Sequence, residues 1–193
     1  MLIDIRDKLK GSSPRDLNYS FPHAAVLLPI VNNPREPELI FTLRSPHLGT
    51  HSGQVAFPGG KQDETDLSLM HTALRETEEE VGISPRDVQV AGRLSQVVSK
   101  HGIVVTPYVG VVPVDVQLVP NEAEIASIFN VPISFFLENQ PHGYDCLSFE
   151  QCVYHVPRFN YEDYLIWGLS AVILSEFLNV VFEIDSLVKV EKK

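Results

Sequence analysis

Arg75-Glu76-Thr77-Glu78-Glu79-Glu80-Val81-Gly82 is the stretch on which the reading of this chain turns. Leu67, Met70, Leu74, Thr77 and Val81 recur at steps of three and four, the spacing of one helix face, and predict that this face packs on a sheet. Gly82 ends the helix. On the same wheel Glu76, Glu79 and Glu80 gather on the opposite arc, with Glu76 and Glu80 one turn apart, while Glu78 falls away toward the edge of the apolar face. Like charges at this spacing cost roughly a few tenths of a kcal/mol per pair even when solvated. They also stand at a helix C-terminus, where the macrodipole disfavours negative charge. A lysine there would stabilise the helix, whereas a divalent cation held by hard oxygen ligands reverses the sign of all these terms. Arg75, one turn before Glu79, is placed to orient it by ion pairing. An acidic run on an isolated helix is usually just a solvated face, and what weighs against that here is the loop before it.

That loop closes on Phe57-Pro58-Gly59-Gly60-Lys61, which puts two glycines where the backbone must turn sharply or approach a ligand closely. A carbonyl in such a turn suits a further metal ligand. Working outward, Leu2, Ile5 and Leu9 predict a helix that stops at Gly11, and Ser12 to Pro22 is polar and turn-rich. Ala24 to Leu28 reads as a buried strand, Asn32-Asn33-Pro34 as a turn, and Glu38 to Leu43 as the hairpin partner. Ser45 to Gly60 reads as a long loop. Val88 to Val98 and Ile103 to Val112 predict two strands, Asn121 to Phe129 an acidic turn, Cys152 to Val156 another strand, and Tyr164 to Leu178 a second long helix. Strands interspersed with few helices predict an α+β or layered α/β/α arrangement rather than a doubly wound sheet. With no repeat or linker, the 193 residues are expected to form one domain, residues 1–21 leading into a core of 22–180.

The 25 acidic and 15 basic residues give a net charge of −10, a field that repels polyanions, so neither nucleic acid nor an anionic membrane is an expected partner. A small anionic substrate would need local cations or metal ions. Cys146 and Cys152 make no disulfide framework and lack zinc-ligand spacing, which reads as two ordinary thiols in a reducing compartment. No signal peptide is expected from the first residues, and the longest apolar stretch, Ala24 to Val31, is strand-sized. A cytoplasmic location is therefore expected, and a homodimer is left open. His47, His51 and His101 lack metal-ligand spacing, and Phe57 and Trp167 read as core aromatics before they read as stacking platforms.

Taken together, Gly60 and the segment from Arg75 to Ile83 resemble the signature of the Nudix hydrolases: Gly, five residues, Glu, seven residues, then Arg-Glu-aliphatic-any-Glu-Glu-any-Gly-aliphatic. Thr77 takes the aliphatic slot. Asp66 stands in place of the early Glu, separated from Arg75 by eight residues rather than seven. Further segments resemble the coenzyme A pyrophosphatase branch: Phe41 to Ser45, Gly53 to Gly60, Asn121 to Ile125, Phe129 to Pro132 and Ile166 to Ala171. That branch carries an arginine where this chain has Gly49, followed by Thr50; Arg44, Lys61 or Lys100 could compensate. The resemblance implies a mixed β-sheet flanked by helices and Mg2+ or Mn2+ held by Glu76, Glu79, Glu80 and the Gly59 carbonyl. It implies a proton acceptor among Glu76, Glu80 and Glu124, with Arg75 in support. On the substrate side it implies Arg44, Ser45, His51, Gly53, Phe57, Gly60 and Lys61. The expected reaction is cleavage of the coenzyme A diphosphate to 3',5'-ADP and 4'-phosphopantetheine. The alternatives are another nucleoside diphosphate derivative (ADP-ribose, an ADP-sugar or a dinucleotide) and a silent nucleotide-binding module.

Overall fold

A computed structural model describes residues 2–47, 53–185 and 187–192. Helix α1 (Leu2–Gly11) leads to β1 (His23–Val31), β2 (Glu38–Arg44), β3 (Val55–Ala56), β4 (Gly59–Lys61) and helix α2 (Leu69–Val81). There follow β5 (Gln89–Arg93), β6 (Val97–Val98), β7 (Val104–Val112), β8 (Ile125–Pro132) and the short α3 (Ile133–Glu138). The chain then runs through β9 (Gly143–Phe149), β10 (Cys152–Tyr161), β11 (Tyr164–Ile166), α4 (Gly168–Phe182) and β12 (Lys189–Lys192).

The main sheet is mixed. β1 runs parallel to β7 along its whole length, from His23 opposite Val104 to Val31 opposite Val112. The other edge of β1 is divided: Ala24 to Val26 pair antiparallel with β4, and only Ile30 and Val31 pair with β2. β2 turns away to pair with β8 and β3, and the two-glycine strand β4 occupies the opening. Pro29 sits where that edge changes partner, a place a strand proline tolerates.

Both faces of this sheet are covered, which is why Ala24 to Val31 is a continuous apolar run rather than an alternating one. Ala24, Leu28 and Ile30 pack with Ile5 and Leu9 of α1 and with Ile173, Leu174, Phe177 and Leu178 of α4. Ala25 and Leu27 pack under Ala73 of α2, and Val31 with Val81 of the same helix. Period-two alternation thus sends successive residues to opposite helical layers, and the fold is an α/β/α sandwich of the α+β class, as its sequence pattern predicts. A second sheet is built on β10, with β9 and β12 on its two edges and β11 folded back on its C-terminal end.

Three expectations need correction. Ile125 to Phe129 is strand, because β8 lies in register along β2 with Phe129 opposite and stacked on Phe41. Tyr164 to Ile166 pairs with β10, so the second long helix begins only at Gly168. Helix α3 and strands β9 and β12 are additional; β12 pairs with the distant β10, and β9, the hairpin partner of β10, has mostly exposed side chains and no apolar alternation to announce it.

Candidate active site

Helix α2 is capped at both ends. The Ser68 side chain accepts from the His71 N–H, and Gly82, at φ 76°, donates its N–H to the Glu78 carbonyl. Two more C-terminal carbonyls, of Glu80 and Val81, accept from the N–H groups of Asn121 and Val119. This strap ties the segment leading to Glu124 against the glutamate end of the helix.

The packed face of α2 keeps Leu74, Thr77 and Val81 of the face the wheel predicts but not its N-terminal members. Leu67 precedes the helix and is 92% exposed, and Met70 is 41% exposed, whereas Thr72, Ala73, Thr77, Glu80 and Val81 are buried. The reason is close approach. The helix lies against the glycine strand β4 and Ala25 of β1, where only small side chains fit, and Thr77 satisfies its hydroxyl by donating to the Ala73 carbonyl at 2.6 Å. Burying Thr72 and Ala73 in place of Met70 shifts the packed face and carries Glu80 inward, off the solvated arc.

Glycines make this approach possible. At Gly59, φ is 152° and a Cβ would fall 2.6 Å from Val26 Cα and run into the Ala25 carbonyl, so no other residue fits. At Gly60 a Cβ would come within 2.5 Å of both carboxylate oxygens of Glu76. The two glycines are therefore the floor on which the Glu76 and Glu80 side chains rest.

Glu80 is 3% exposed; Oε1 accepts from Arg44 Nη1 at 3.0 Å and Oε2 from the Gly59 N–H at 3.2 Å. Burial pushes its pKa up to about 7, opposed by the Gly59 N–H and the Arg44 charge and assisted by Glu76 and Glu124. Burial likewise raises Glu76, whose Oε1 lies 2.9 Å from Arg75 Nη1. Glu79 is half exposed and meets the same Nη1 at 3.0 Å. Glu78 is exposed. The backbone carbonyl of Glu124 accepts from the Ser45 N–H at 2.7 Å, and its carboxylate is close enough to bear on both Glu76 and Glu80.

Arg75 is held by Asp66, the residue at which the sequence departs from the signature. Arg75 Nε and Nη2 donate to the two oxygens of Asp66 at 2.9 Å each, a bidentate pair. Asp66 also accepts from Thr72 Oγ1 and the Asp63 N–H at 2.9 Å, and its Oδ1 lies 3.0 Å from His71 Nδ1. Its side chain is wholly buried, and the Arg75 guanidinium foremost holds its carboxyl well below the usual range. Three guanidinium N–H donors remain, two on Nη1 for Glu76 and Glu79 and one on Nη2 for the Lys61 carbonyl at 3.3 Å. Sequence reasoning left Asp66 without a role; a lone acid just ahead of the Ser68 cap is the signal that could have found it.

Of the expected substrate-side residues, Arg44 instead faces Glu80. Ser45 is buried. Gly53, at φ 67°, closes a turn by donating to the Arg44 carbonyl. Phe57 is 4% exposed and stacked on Phe41 with centroids 4.5 Å apart, so it is a core residue with no face left for a ligand. The Lys61 side chain is exposed. His51, Gly49 and Thr50 lie outside the described residues. His47 and His101 are exposed, and Trp167 is half-buried where α4 begins.

Among the described residues no three acidic, histidine or cysteine side chains stand close enough together to chelate an ion. Arg44 and Arg75 lie between and beside the carboxylates instead. The donor set nevertheless suits a hard divalent cation. It consists of oxygens only, the Glu80 carboxylate is desolvated, and Gly60 clears the space in front of Glu76. No helix among the described residues is long and apolar enough to cross a membrane.

A layered fold that seats a glutamate-rich helix against a glycine strand is the arrangement that the Nudix resemblance implies. The chain belongs to the Nudix family: a family model described as the NUDIX domain matches residues 21–142. It is 45% identical over 168 residues to a protein of Photorhabdus laumondii named uncharacterized Nudix hydrolase NudL, covering 87% of this chain and 89% of that one. It is 43% identical over 169 residues to the protein of that name from Yersinia enterocolitica, covering 88% and 86%. Its fold is similar to the NUDIX domain of Shewanella oneidensis NrtR, solved in complex with ADP ribose (TM-score 0.50, 19% identity, 69% of this chain and 86% of that one). It is thus a Nudix hydrolase of a pyrophosphate-containing substrate, in a family that generally uses divalent metal ions.

Proposed function

We propose that the chain cleaves the diphosphate of coenzyme A or its derivatives, releasing 3',5'-ADP and 4'-phosphopantetheine or its acyl form, with Mg2+ or Mn2+. The observation that carries this reading is the meeting of segments that resemble the coenzyme A pyrophosphatase branch. Arg44 of the first pairs with Glu80, and the Arg44 N–H donates to the Gln54 carbonyl of the second. Ser45 donates to Glu124 of the third, and Ser170 Oγ, in the last, donates to the Val55 carbonyl at 2.9 Å. Four segments spread from residue 41 to 171 are thereby tied to one another, the first two through Arg44 and Gly59 to Glu80 itself.

Glu76, Glu79, Glu80 and the Gly59 carbonyl would hold the metal. When bound, it neutralises phosphate oxygens and lowers the pKa of the attacking water. Glu80, whose buried carboxylate is held by Arg44 and the Gly59 N–H, is suited to accept that water's proton, and Glu76 or Glu124 shares the role through their coupling to it. Arg44 keeps Glu80 in place and lends positive charge to the phosphate side. Arg75, anchored on Asp66, fixes the rotamers of Glu76 and Glu79.

The second reading, hydrolysis of ADP-ribose or a related derivative, is favoured by Gly49 standing where a basic residue is expected and by the ADP ribose held by the NrtR domain. A panel of coenzyme A, acyl-coenzyme A, ADP-ribose, an ADP-sugar and a diadenosine polyphosphate, each with Mg2+ and with Mn2+, separates the two. Coenzyme A substrates are expected to show the highest kcat/KM. Equal turnover of coenzyme A and ADP-ribose would remove the specific claim and leave the hydrolase.

A further inference from the structure

Cys146 on β9 stands directly opposite His155 on β10, so the two side chains share one face of the second sheet. Cys146 Sγ lies 3.4 Å from His155 Nδ1, and Glu191 Oε1, on β12, lies 3.3 Å from His155 Nε2. Nε2 is buried and has no aligned hydrogen bond, so Glu191 acts on the ring through its charge. A carboxylate on that side favours the tautomer protonated at Nε2 and leaves the Nδ1 lone pair toward the thiol. A nucleophile, a base and an acid that orients the base, in that order, are the arrangement that activates a weak nucleophile. Cys146 is exposed, so a small electrophile can reach it. Lys189 stands opposite His155 on its other side and gives the same face a cation that attracts anions. None of these residues takes part in the hydrolysis described above.

We propose that Cys146 is a reactive thiol that exchanges with anionic small-molecule disulfides, with His155 as its base and Glu191 positioning His155. The Cys146 sulfur attacks one sulfur of the disulfide as its proton passes to His155 Nδ1. A bond forms between Cys146 and that sulfur, the bond between the two disulfide sulfurs breaks, and the departing thiolate takes the proton back from His155. The small disulfide is the oxidant and its released half is the reduced product. Cys152 cannot resolve the adduct: three positions from His155 on the same strand, it points to the opposite face. The product is a mixed disulfide on Cys146.

The test uses the full chain and oxidised glutathione, with adduct formation at each cysteine followed by peptide mass mapping. Cys146 is expected to react at least about tenfold faster than Cys152 and than Cys146 in the guanidinium-unfolded chain. His155→Gln should lower the Cys146 rate by about tenfold or more, within the range of a general base, and leave Cys152 unchanged. Glu191→Gln, on an exposed side chain whose loss leaves the sheet intact, should lower it several-fold. A native Cys146 rate no faster than in the unfolded chain, or one that neither substitution changes, would overturn the proposal.

Discussion

Glu80 carries a stability signature that can be read without any substrate. Its folded pKa is about 7, against an ordinary value of 4.5, because burial of the carboxylate outweighs the Gly59 N–H and the Arg44 charge. A raised acid binds its proton more tightly in the folded than in the unfolded state. The contribution of Glu80 to stability is therefore greatest below pH 4.5 and is lost as pH rises toward 7. At about 1.4 kcal/mol per pKa unit, the difference between 4.5 and 7 corresponds to about 3 kcal/mol lost across that window. Glu80→Gln cannot titrate and should not show this loss. Its amide leaves either Arg44 or the Gly59 N–H poorly matched, a penalty of roughly 1–3 kcal/mol that does not depend on pH. The slope, not the offset, is thus the readout. Urea unfolding of both proteins in excess chelator, at steps between pH 4.5 and 8.5, should show wild type falling relative to the variant by about 3 kcal/mol. Adding Mn2+ at pH 8 should reverse the trend for wild type alone, since an ion bound only by the folded state adds stability by mass action. A difference that stays constant with pH would refute the burial argument, and equal stabilisation of both proteins by the ion would refute Glu80 as a ligand.

Other consequences follow from the same geometry. Gly60→Ala displaces only the flexible end of Glu76, so stability should change by less than about 1 kcal/mol while activity falls at least about tenfold. Gly59→Ala, strained in φ and driven into β1, should cost about 2 kcal/mol or more by urea denaturation. Asp66→Asn should destabilise by about 1–3 kcal/mol at pH 7 and lower kcat by freeing Arg75. Because the folded pKa of Asp66 is depressed, its contribution is present above the ordinary carboxylate range and vanishes as pH falls, so wild type and variant should converge in acid. Met70→Lys should change stability by no more than about 0.5 kcal/mol, whereas Ala73→Leu, under the glycine strand, should cost about 1–3 kcal/mol. The opposite ranking would restore the face that the wheel predicts.

The layered fold was legible because its strongest signals are local: the apolar run at Ala24 to Val31, the Gly82 end of α2, and the glycines before it. The shift of the packed face of α2 was not, since hydrophobicity favours Leu67 and Met70, and only the closeness of the sheet makes the small Thr72 and Ala73 buried in their place. The separation of Glu78 from the other three glutamates did follow from helical spacing. The inward position of Glu80 and the hold of Asp66 on Arg75 did not, because each depends on a partner brought in by the sheet or by a loop of unusual length. Strand β12 was hidden for the same reason; β9 was hidden because its mostly exposed side chains give no apolar alternation, and with it the Cys146–His155 pair, whose members are adjacent only in the hairpin register.

The central claim is that the carboxylates of α2 drive diphosphate cleavage. It is tested most directly by steady-state hydrolysis of coenzyme A at saturating Mg2+ or Mn2+, comparing wild type with Glu79→Gln and Glu80→Gln and resolving products by mass spectrometry. Wild type should yield 3',5'-ADP and 4'-phosphopantetheine, and both variants, folded by circular dichroism, should lose most of the rate, about a hundredfold or more for Glu80. Unchanged rates in both variants would contradict the account.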